Sequence, residues 1–158
     1  MIKLKNKKVG LFYIILTDIF LLDFFSKWII DKSLQLNETI RIIPNILSFE
    51  KVYNEGAAFS ILQNNIELLI IISITTILYI LGYFIKKHSE FSYANIVALA
   101  CIAGGAMGNL FDRISYSHVI DFIQLEFLNF PIFNLADIFI NIGVIILIIN
   151  ILVAKNDK

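Results

Sequence analysis

The sequence predicts an all-α membrane protein with four transmembrane helices, a small extracytoplasmic β-sheet and a short helical or loop cover on the outer side. The composition is 58% hydrophobic and 16% charged, with a mean hydropathy of +0.80, which is typical of a chain solvated by lipid. Four apolar stretches are long enough to cross a hydrocarbon core, which needs about 20 helical residues. The predicted spans are about 9–30, 66–85, 93–110 and 136–153, within one membrane-embedded domain of residues 1–158.

The first span follows several lysines and so resembles a secretory signal, but its charges argue against cleavage. It contains Asp18, Asp23 and Lys27 and lacks a small-residue cleavage site, so we expect it to remain in the mature protein. Lysine-rich segments stay in the cytoplasm. The lysines near both termini and in the connection 86–88 therefore predict a multi-pass protein of the cell (inner, cytoplasmic) membrane with both termini cytoplasmic.

With this topology, the segments 31–65 and 111–135 lie on the outer side and hold most of the remaining polar residues. The runs 39–44 and 47–53 alternate partly between apolar and polar side chains, which predicts two short strands on the outer membrane surface. We therefore expect the functional site near the outer face.

Ionisable groups at membrane depth are costly, so they usually mark an ion pair, a pathway or a catalytic site. Asp23 and Lys27 are four residues apart and share a helix face, which favours an ion pair. Asp112 and Arg113 are adjacent where the third span is expected to leave the membrane, and we expect them to pair. Asp137 opens the fourth span after Asn134, a position typical of a helix cap.

Asp121 is the most unusual of these carboxylates because it lies in an apolar run, 119–123, of the second outer segment. We interpret this run as part of a loop that can fold back toward Asp137. Two carboxylates in contact cannot both ionise cheaply, so such a pair shares a proton and supplies a general acid beside a general base. The pair Asp121 and Asp137 is the predicted water-activating site.

Other hydrolytic sites fit the residue inventory poorly. The chain has no HExxH motif, its histidines are His88 and His118, and its single cysteine is Cys101 in an apolar run, so no metal site is expected. Ser26 and Lys27 are adjacent on a helix and point about 100° apart, which disfavours a serine/lysine dyad. The net charge of zero gives no reason to expect a nucleic-acid partner.

Five segments of the chain form recognisable motifs. They are 23–27 (DFFSK), 54–60 (NEGAAFS), 104–113 (GGAMGNLFDR), 119–122 (VIDF) and 130–137 (FPIFNLAD). In order, spacing and predicted topology these segments resemble the motifs of the type II (lipoprotein) signal peptidases, aspartic peptidases of family A8.

The resemblance implies that Asp121 and Asp137 are the catalytic pair. It also implies cleavage of diacylglyceryl-modified prolipoproteins before the lipidated cysteine, inhibition by globomycin-type peptides, contact with membrane lipids, and no metal or cofactor. We expect a monomer. The supporting residues that the family motifs imply are Asp23, Asn54, Gly56, Asn109, Asp112, Arg113 and Asn134.

Two positions depart from the family pattern. Phe24 stands where Gln usually follows the first aspartate, and Ile138 stands where a small hydroxyl residue usually follows the last. Asp18 has no predicted partner. It fits an alternative function, a small proton- or ion-coupled transporter with acids spread through the membrane. A purely structural membrane protein does not explain why the polar residues gather in two outer segments.

Overall fold

Four membrane-length helices form the frame of the protein. The computed structural model describes residues 2–56, 62–63 and 65–156, with the backbone alone at 2–6 and 155–156. Within these residues, four helices are long and apolar enough to cross a membrane, which confirms the predicted fold class. They are α1 (Ile2–Ser33), α2 (Ile66–Lys87), α3 (Tyr93–Tyr116) and α4 (Leu135–Asn156).

Helix α3 lies at the centre of the bundle and packs against the other three helices. Glycines allow the closest of these contacts. A Cβ added at Gly105 of α3 would lie 2.5 Å from the carbonyl oxygen of Ala136, and one at Gly143 of α4 would lie 2.6 Å from the carbonyl oxygen of Ala98. Helices that associate in membranes rely on such small residues because close backbone packing replaces the hydrophobic effect.

One end of the bundle is closed by an apolar cluster between α1, α2 and α3. Phe12 of α1 stacks on Phe84 of α2, with ring centroids 3.9 Å apart. The ammonium of Lys8 donates to the carbonyl oxygen of Phe91, at 2.7 Å, in the connection between α2 and α3. The start of α1 and this connection therefore lie at the same end, as the lysine distribution predicts.

The opposite end carries a three-stranded antiparallel sheet in the order β1 (Thr39–Ile43), β2 (Leu47–Asn54), β3 (Val119–Leu125). The first two strands are those that the sequence predicts. The third replaces the predicted loop around Asp121. Its residues 119–123 are all buried, so the run lacks the alternation that identifies a strand with one exposed face.

The third helix is longer than the sequence predicts, since it continues to Tyr116 instead of ending near Leu110. Asp112 and Arg113 therefore lie in its last turns and not in an outer loop. Both side chains are buried with polar partners, so the helix does not have to end to bring them to water.

A loop after β3 returns the chain to the sheet before α4 begins. The backbones of Ile123 and Phe133 exchange two hydrogen bonds, of 2.7 and 3.1 Å. The predicted cover is thus a loop in this segment. Its end places Asn134 directly beside β3, where the two catalytic candidates meet.

Candidate functional site

Asp121 lies on β3 opposite Val52 of β2, and only 2% of the residue is exposed. Two amide groups donate to its carboxylate. Asn54 Nδ2 lies 2.8 Å from Oδ2, and Asn134 Nδ2 lies 2.6 Å from Oδ1. A buried carboxylate is tolerated when its oxygens are hydrogen-bonded in this way.

Asp137 lies in the first turn of α4 and forms a capping box with Asn134. The Asp137 backbone N–H donates to Asn134 Oδ1 at 3.0 Å, and the Asn134 N–H donates to Asp137 Oδ2 at 3.3 Å. The other carboxylate oxygen, Oδ1, accepts from Asn109 Nδ2 at 2.8 Å. The cap predicted from the sequence is therefore part of the site, and the helix dipole favours a negative charge there.

Asn134 contacts both carboxylates and brings them together. Its side chain donates to Asp121, while its backbone and side chain fix Asp137. Burial, reinforced by the negative charge of Asp137, raises the pKa of Asp121 to about 7, against the opposing effect of the hydrogen bonds from Asn54 and Asn134. At neutral pH, Asp121 can hold a proton beside an anionic partner.

Lys27 is the buried cation behind this pair, and sequence reasoning did not include it among the site residues. Its ammonium lies 2.8 Å from Asp23 and 3.0 Å from Asp112, and it donates to Asn109 Oδ1 at 2.9 Å. The predicted pair of Asp23 and Lys27 is confirmed. The spacing of four residues on α1 was the signal that could have placed Lys27 in the site as well.

Asp23 also holds the start of α4 in place. Its Oδ1 accepts the backbone N–H of Ala136 at 2.8 Å, one residue before Asp137. A Cβ at Gly108 would run into the Asp23 carboxylate, so this glycine leaves the space that the carboxylate occupies. Asp23 thus connects α1 to the helix end that carries a catalytic candidate.

Arg113 does not pair with Asp112 as the sequence predicted. Among the ion pairs of the described residues, Asp112 pairs with Lys27, because adjacent residues on a helix point about 100° apart. The Arg113 guanidinium instead donates to the carbonyl oxygens of Gly56, at 3.0 Å, and Asn109, at 3.4 Å. It therefore ties α3 to the chain that follows β2.

The carboxylates open onto a cavity of about 790 Å³. Part of its wall is polar and part is apolar, formed by α4 and the loop before it. The predicted site residues that line it are Asn54, Gly56, Asn109, Arg113, Asp121 and Asp137. Asp23, Asp112 and Asn134 lie buried behind this wall.

The remaining sequence predictions fall in different places. Residues 57–60 of the second motif lie outside the described residues. Phe24 packs against Phe111 with ring centroids 5.3 Å apart, and Ile138 lines the apolar part of the cavity. Asp18 is exposed on α1, away from the polar cluster, and we have no structural explanation for it.

The chain matches a family model described as signal peptidase (SPase) II over residues 15–153. A lipoprotein signal peptidase of Streptococcus agalactiae serotype Ia is 42% identical over 128 residues, which are 81% of this chain and 82% of the relative. A lipoprotein signal peptidase of Lactococcus lactis subsp. lactis is 37% identical over 152 residues, which are 96% of this chain and 99% of the relative.

The fold is also similar to that of a solved bacterial membrane enzyme. A bacterial membrane enzyme solved by the in meso method at 2.3 Å resolution superposes with a TM-score of 0.88 and 32% identity, covering 95% of this chain and 92% of that one. None of these comparisons supports the transporter alternative. The chain belongs to the signal peptidase II family.

Proposed function

We propose that this chain is an intramembrane aspartic endopeptidase that removes signal peptides from diacylglyceryl-modified prolipoproteins by cleaving before the lipidated cysteine. The observation that carries the proposal is the contact of Asn134 with both Asp121 and Asp137 at the wall of the large cavity. The similar proteins of Streptococcus and Lactococcus are lipoprotein signal peptidases.

In the proposed reaction Asp137 is the base and Asp121 the acid. Asp137 lies at a helix N-terminus, which favours its ionised form, and it takes a proton from water while the water oxygen adds to the scissile carbonyl carbon. Asp121, whose raised pKa of about 7 leaves a substantial fraction of it protonated at neutral pH, donates its proton to the carbonyl oxygen. The C–N bond then breaks as Asp137 passes the proton taken from water to the departing amine, and the tetrahedral hydroxyl returns a proton to Asp121 as the carboxyl product forms.

The supporting residues orient this pair. Asn54, Asn109 and Asn134 donate to the two carboxylates, and fixed donors of this kind need no reorganisation during the reaction. Arg113 holds the carbonyl of Gly56, next to the cavity. Substrate backbone can bind between these groups and the pair.

The apolar part of the cavity suits a substrate that carries acyl chains and an apolar signal segment. Ile138, Ile142 and Ile145 of α4 line it, so the lipid part of the substrate can remain at membrane depth while the scissile bond reaches the carboxylates. The lysines of 3–8, 86–87 and 155–158 support cytoplasmic termini in the cell membrane. The site then lies near the outer face.

We further propose that membrane lipids surround the enzyme, that it works as a monomer, and that globomycin-type peptides inhibit it. The reaction requires no metal or cofactor because the two carboxylates supply both proton transfers. These proposals rest on the family membership and on the complete set of polar groups around Asp121 and Asp137.

The test uses purified protein and a diacylglyceryl prolipoprotein in lipid nanodiscs. Asp121→Asn and Asp137→Asn should each reduce turnover by about 10³-fold, because each removes one proton-transfer group. Asp18→Asn is the matched control, since Asp18 is exposed on α1 and lies outside the polar cluster. It should cleave at the parental rate.

A globomycin-type peptide should block the parental protein and still bind both inactive variants. Binding shows that the variants are folded, so lost turnover can be assigned to the chemistry. Cleavage near the parental rate by either Asp121→Asn or Asp137→Asn would rule out the pair. Cleavage at a bond other than the one before the lipidated cysteine would rule out the proposed specificity.

A further inference from the structure

A second, smaller cavity of about 170 Å³ lies at the same end of the bundle as the catalytic candidates. It is formed by the last turns of α1 and α3 together with the sheet. Tyr53 lines both cavities, and Lys27, in the wall of the smaller one, also donates to Asn109 in the wall of the larger one. The residues that line it are Phe24, Lys27, Trp28, Asp31, Tyr53, Phe111, Asp112, Tyr116, His118 and Ile120.

Most of this lining is aromatic, and five of the rings contact one another in sequence, an arrangement that we call the arc. Tyr53 and His118 have ring centroids 3.8 Å apart, and His118 and Tyr116 are 6.1 Å apart. Tyr116 is 6.4 Å from Phe111, which is 5.3 Å from Phe24. Cages of several aromatic rings around one small cavity bind ammonium groups by cation–π attraction.

The polar groups of the lining offer little to an anion. They are the carboxylates of Asp31 and Asp112 and the ammonium of Lys27, and Asp31 also pairs with Lys51 at the edge of the cavity. An ammonium has three donors, and those of Lys27 already face Asp23, Asp112 and Asn109. The cavity therefore offers no free lysine donor to a phosphate.

One ring of the arc already holds an ammonium. The Nζ atom of Lys51 lies 5.5 Å from the ring centroid of Tyr53. The same Lys51 is fixed by Asp31, with Nζ 2.8 Å from Oδ1. A carboxylate and an aromatic face thus already combine around a positive charge at the edge of the cavity.

The depth of the cavity points to a lipid. Asp31 lies near the end of α1 at Ser33, and Tyr116 is the last residue of α3. The cavity is therefore level with the head groups of the bilayer. Aromatic residues of an ordinary membrane belt lie separately along the boundary, whereas these rings converge on one cavity with carboxylates beside them.

From this geometry we propose that the aromatic cavity, lined by the rings of Phe24, Tyr53, Phe111, Tyr116 and His118, binds the ammonium head group of a membrane lipid. The site is distinct from the catalytic pair. Its existence does not depend on the proposed peptidase function.

Trp28 makes the test direct, because it is the only tryptophan of the chain and it lines this cavity. The full-length protein is reconstituted in nanodiscs of phosphatidylglycerol, which lacks an ammonium group. Tetramethylammonium chloride is then added, with sodium chloride at the same ionic strength as the control. The Trp28 emission should change and saturate with tetramethylammonium and stay constant with sodium.

Tyr116→Leu removes one wall of the cage and should weaken the apparent affinity for tetramethylammonium at least severalfold. Tyr79→Leu is the matched control, because Tyr79 is an exposed tyrosine on α2 that lies outside the cavity. It should respond like the parental protein. Thermal unfolding midpoints close to that of the parental protein check that both variants are folded.

The source of the ammonium is tested by replacing phosphatidylglycerol with phosphatidylethanolamine. If the lipid occupies the cavity, the Trp28 emission should already be shifted before tetramethylammonium is added. The response to added tetramethylammonium should then be suppressed. A response that does not saturate, or that is equal in Tyr116→Leu, would overturn the site. A saturating response that phosphatidylethanolamine leaves unchanged would overturn the assignment to a lipid.

Discussion

The buried ammonium of Lys27 donates to Oδ1 of Asn109 at 2.9 Å. An ammonium can only donate, so this contact fixes which end of the Asn109 amide faces α1. The Nδ2 group must then point the other way, where it donates to Asp137 Oδ1 at 2.8 Å. Lys27 therefore positions a donor on the catalytic candidate without contacting it.

Replacing Lys27 by methionine should lower kcat by about 10- to 100-fold. The Asn109 oxygen then keeps only the longer contact from Asn134 Nδ2, at 3.1 Å, so the amide is held less firmly. A hydrogen bond to a charged group contributes about 1.5–3 kcal/mol, at about 1.4 kcal/mol for each factor of ten in rate. The charge of Lys27 also lowers the pKa of Asp121. Its removal should therefore move the alkaline limb of the pH–rate profile of the lipidated precursor to higher pH.

The single variant also leaves two buried carboxylates without their cation, which destabilises the protein. The double variant Lys27→Met/Asp112→Asn removes one charge of each sign and should recover part of the lost thermal stability. It should not recover turnover, because Asn109 still lacks the contact from Lys27. Recovery of both together would show that Lys27 acts on stability alone.

The decrease of turnover at alkaline pH should follow the deprotonation of Asp121. Burial and the charge of Asp137 raise the pKa of this carboxyl to about 7, and the proposed acid must be protonated to act. Turnover should therefore fall as the pH rises through about 7. A pH–rate profile that stays flat to pH 9 would contradict the assignment of Asp121 as the acid.

Asn54→Ala tests the same assignment by the direction in which the alkaline limb of the pH–rate profile moves. The Asn54 amide donates to Asp121 Oδ2 at 2.8 Å, which favours the ionised carboxylate and lowers its pKa. Removing the donor should raise the pKa of Asp121, so the alkaline limb should move to higher pH while kcat at the optimum falls. A move to lower pH would show that the hydrogen bond is not made in the working enzyme.

The helices and the first two strands follow from the sequence because apolar length and alternation are local signals. Span ends were less accurate. The predicted end of α3 near Leu110 assumed that Asp112 and Arg113 must reach water, whereas Lys27 and the carbonyl of Gly56 satisfy them inside the bundle. Partners from distant parts of the chain cannot be read from local polarity.

In the candidate site, too, local features could be predicted from the sequence, whereas contacts between distant parts of the chain could not. The sequence identified each acid and amide of the polar cluster, and it predicted the pair of Asp23 with Lys27. It did not predict that Asp121 is on a strand, because β3 is buried on both faces. It paired Arg113 with its sequence neighbour Asp112. The contact of Arg113 with Gly56, 57 residues away, cannot be predicted from the local sequence.

Arg113→Lys should reduce turnover although it keeps the charge. The guanidinium donates to both Gly56 and Asn109 through two different nitrogens, and a lysine cannot reproduce this fork. The chain after β2 loses its connection to α3, so we expect a higher KM for the lipidated precursor and about tenfold lower kcat/KM. Arg41→Lys is the control, because that side chain is 75% exposed on β1, and it should change neither parameter.

The contact between α3 and α4 predicts that Gly105→Ala is destabilising. The added Cβ would lie 2.5 Å from the carbonyl oxygen of Ala136 and 2.8 Å from Ile140, so the helices must separate. The cost should be about 1–3 kcal/mol, the usual range for overpacking.

Gly82→Ala is the matched control on α2, where nothing lies within 4 Å of the added atom, and alanine has the higher helix propensity. Thermal unfolding in detergent should show a lower midpoint for Gly105→Ala and an equal or higher one for Gly82→Ala. Turnover should fall only for Gly105→Ala, because Ala136 precedes Asp137 and moves with it. Equal midpoints for the two variants would show that α3 and α4 are farther apart in the membrane than in this structure.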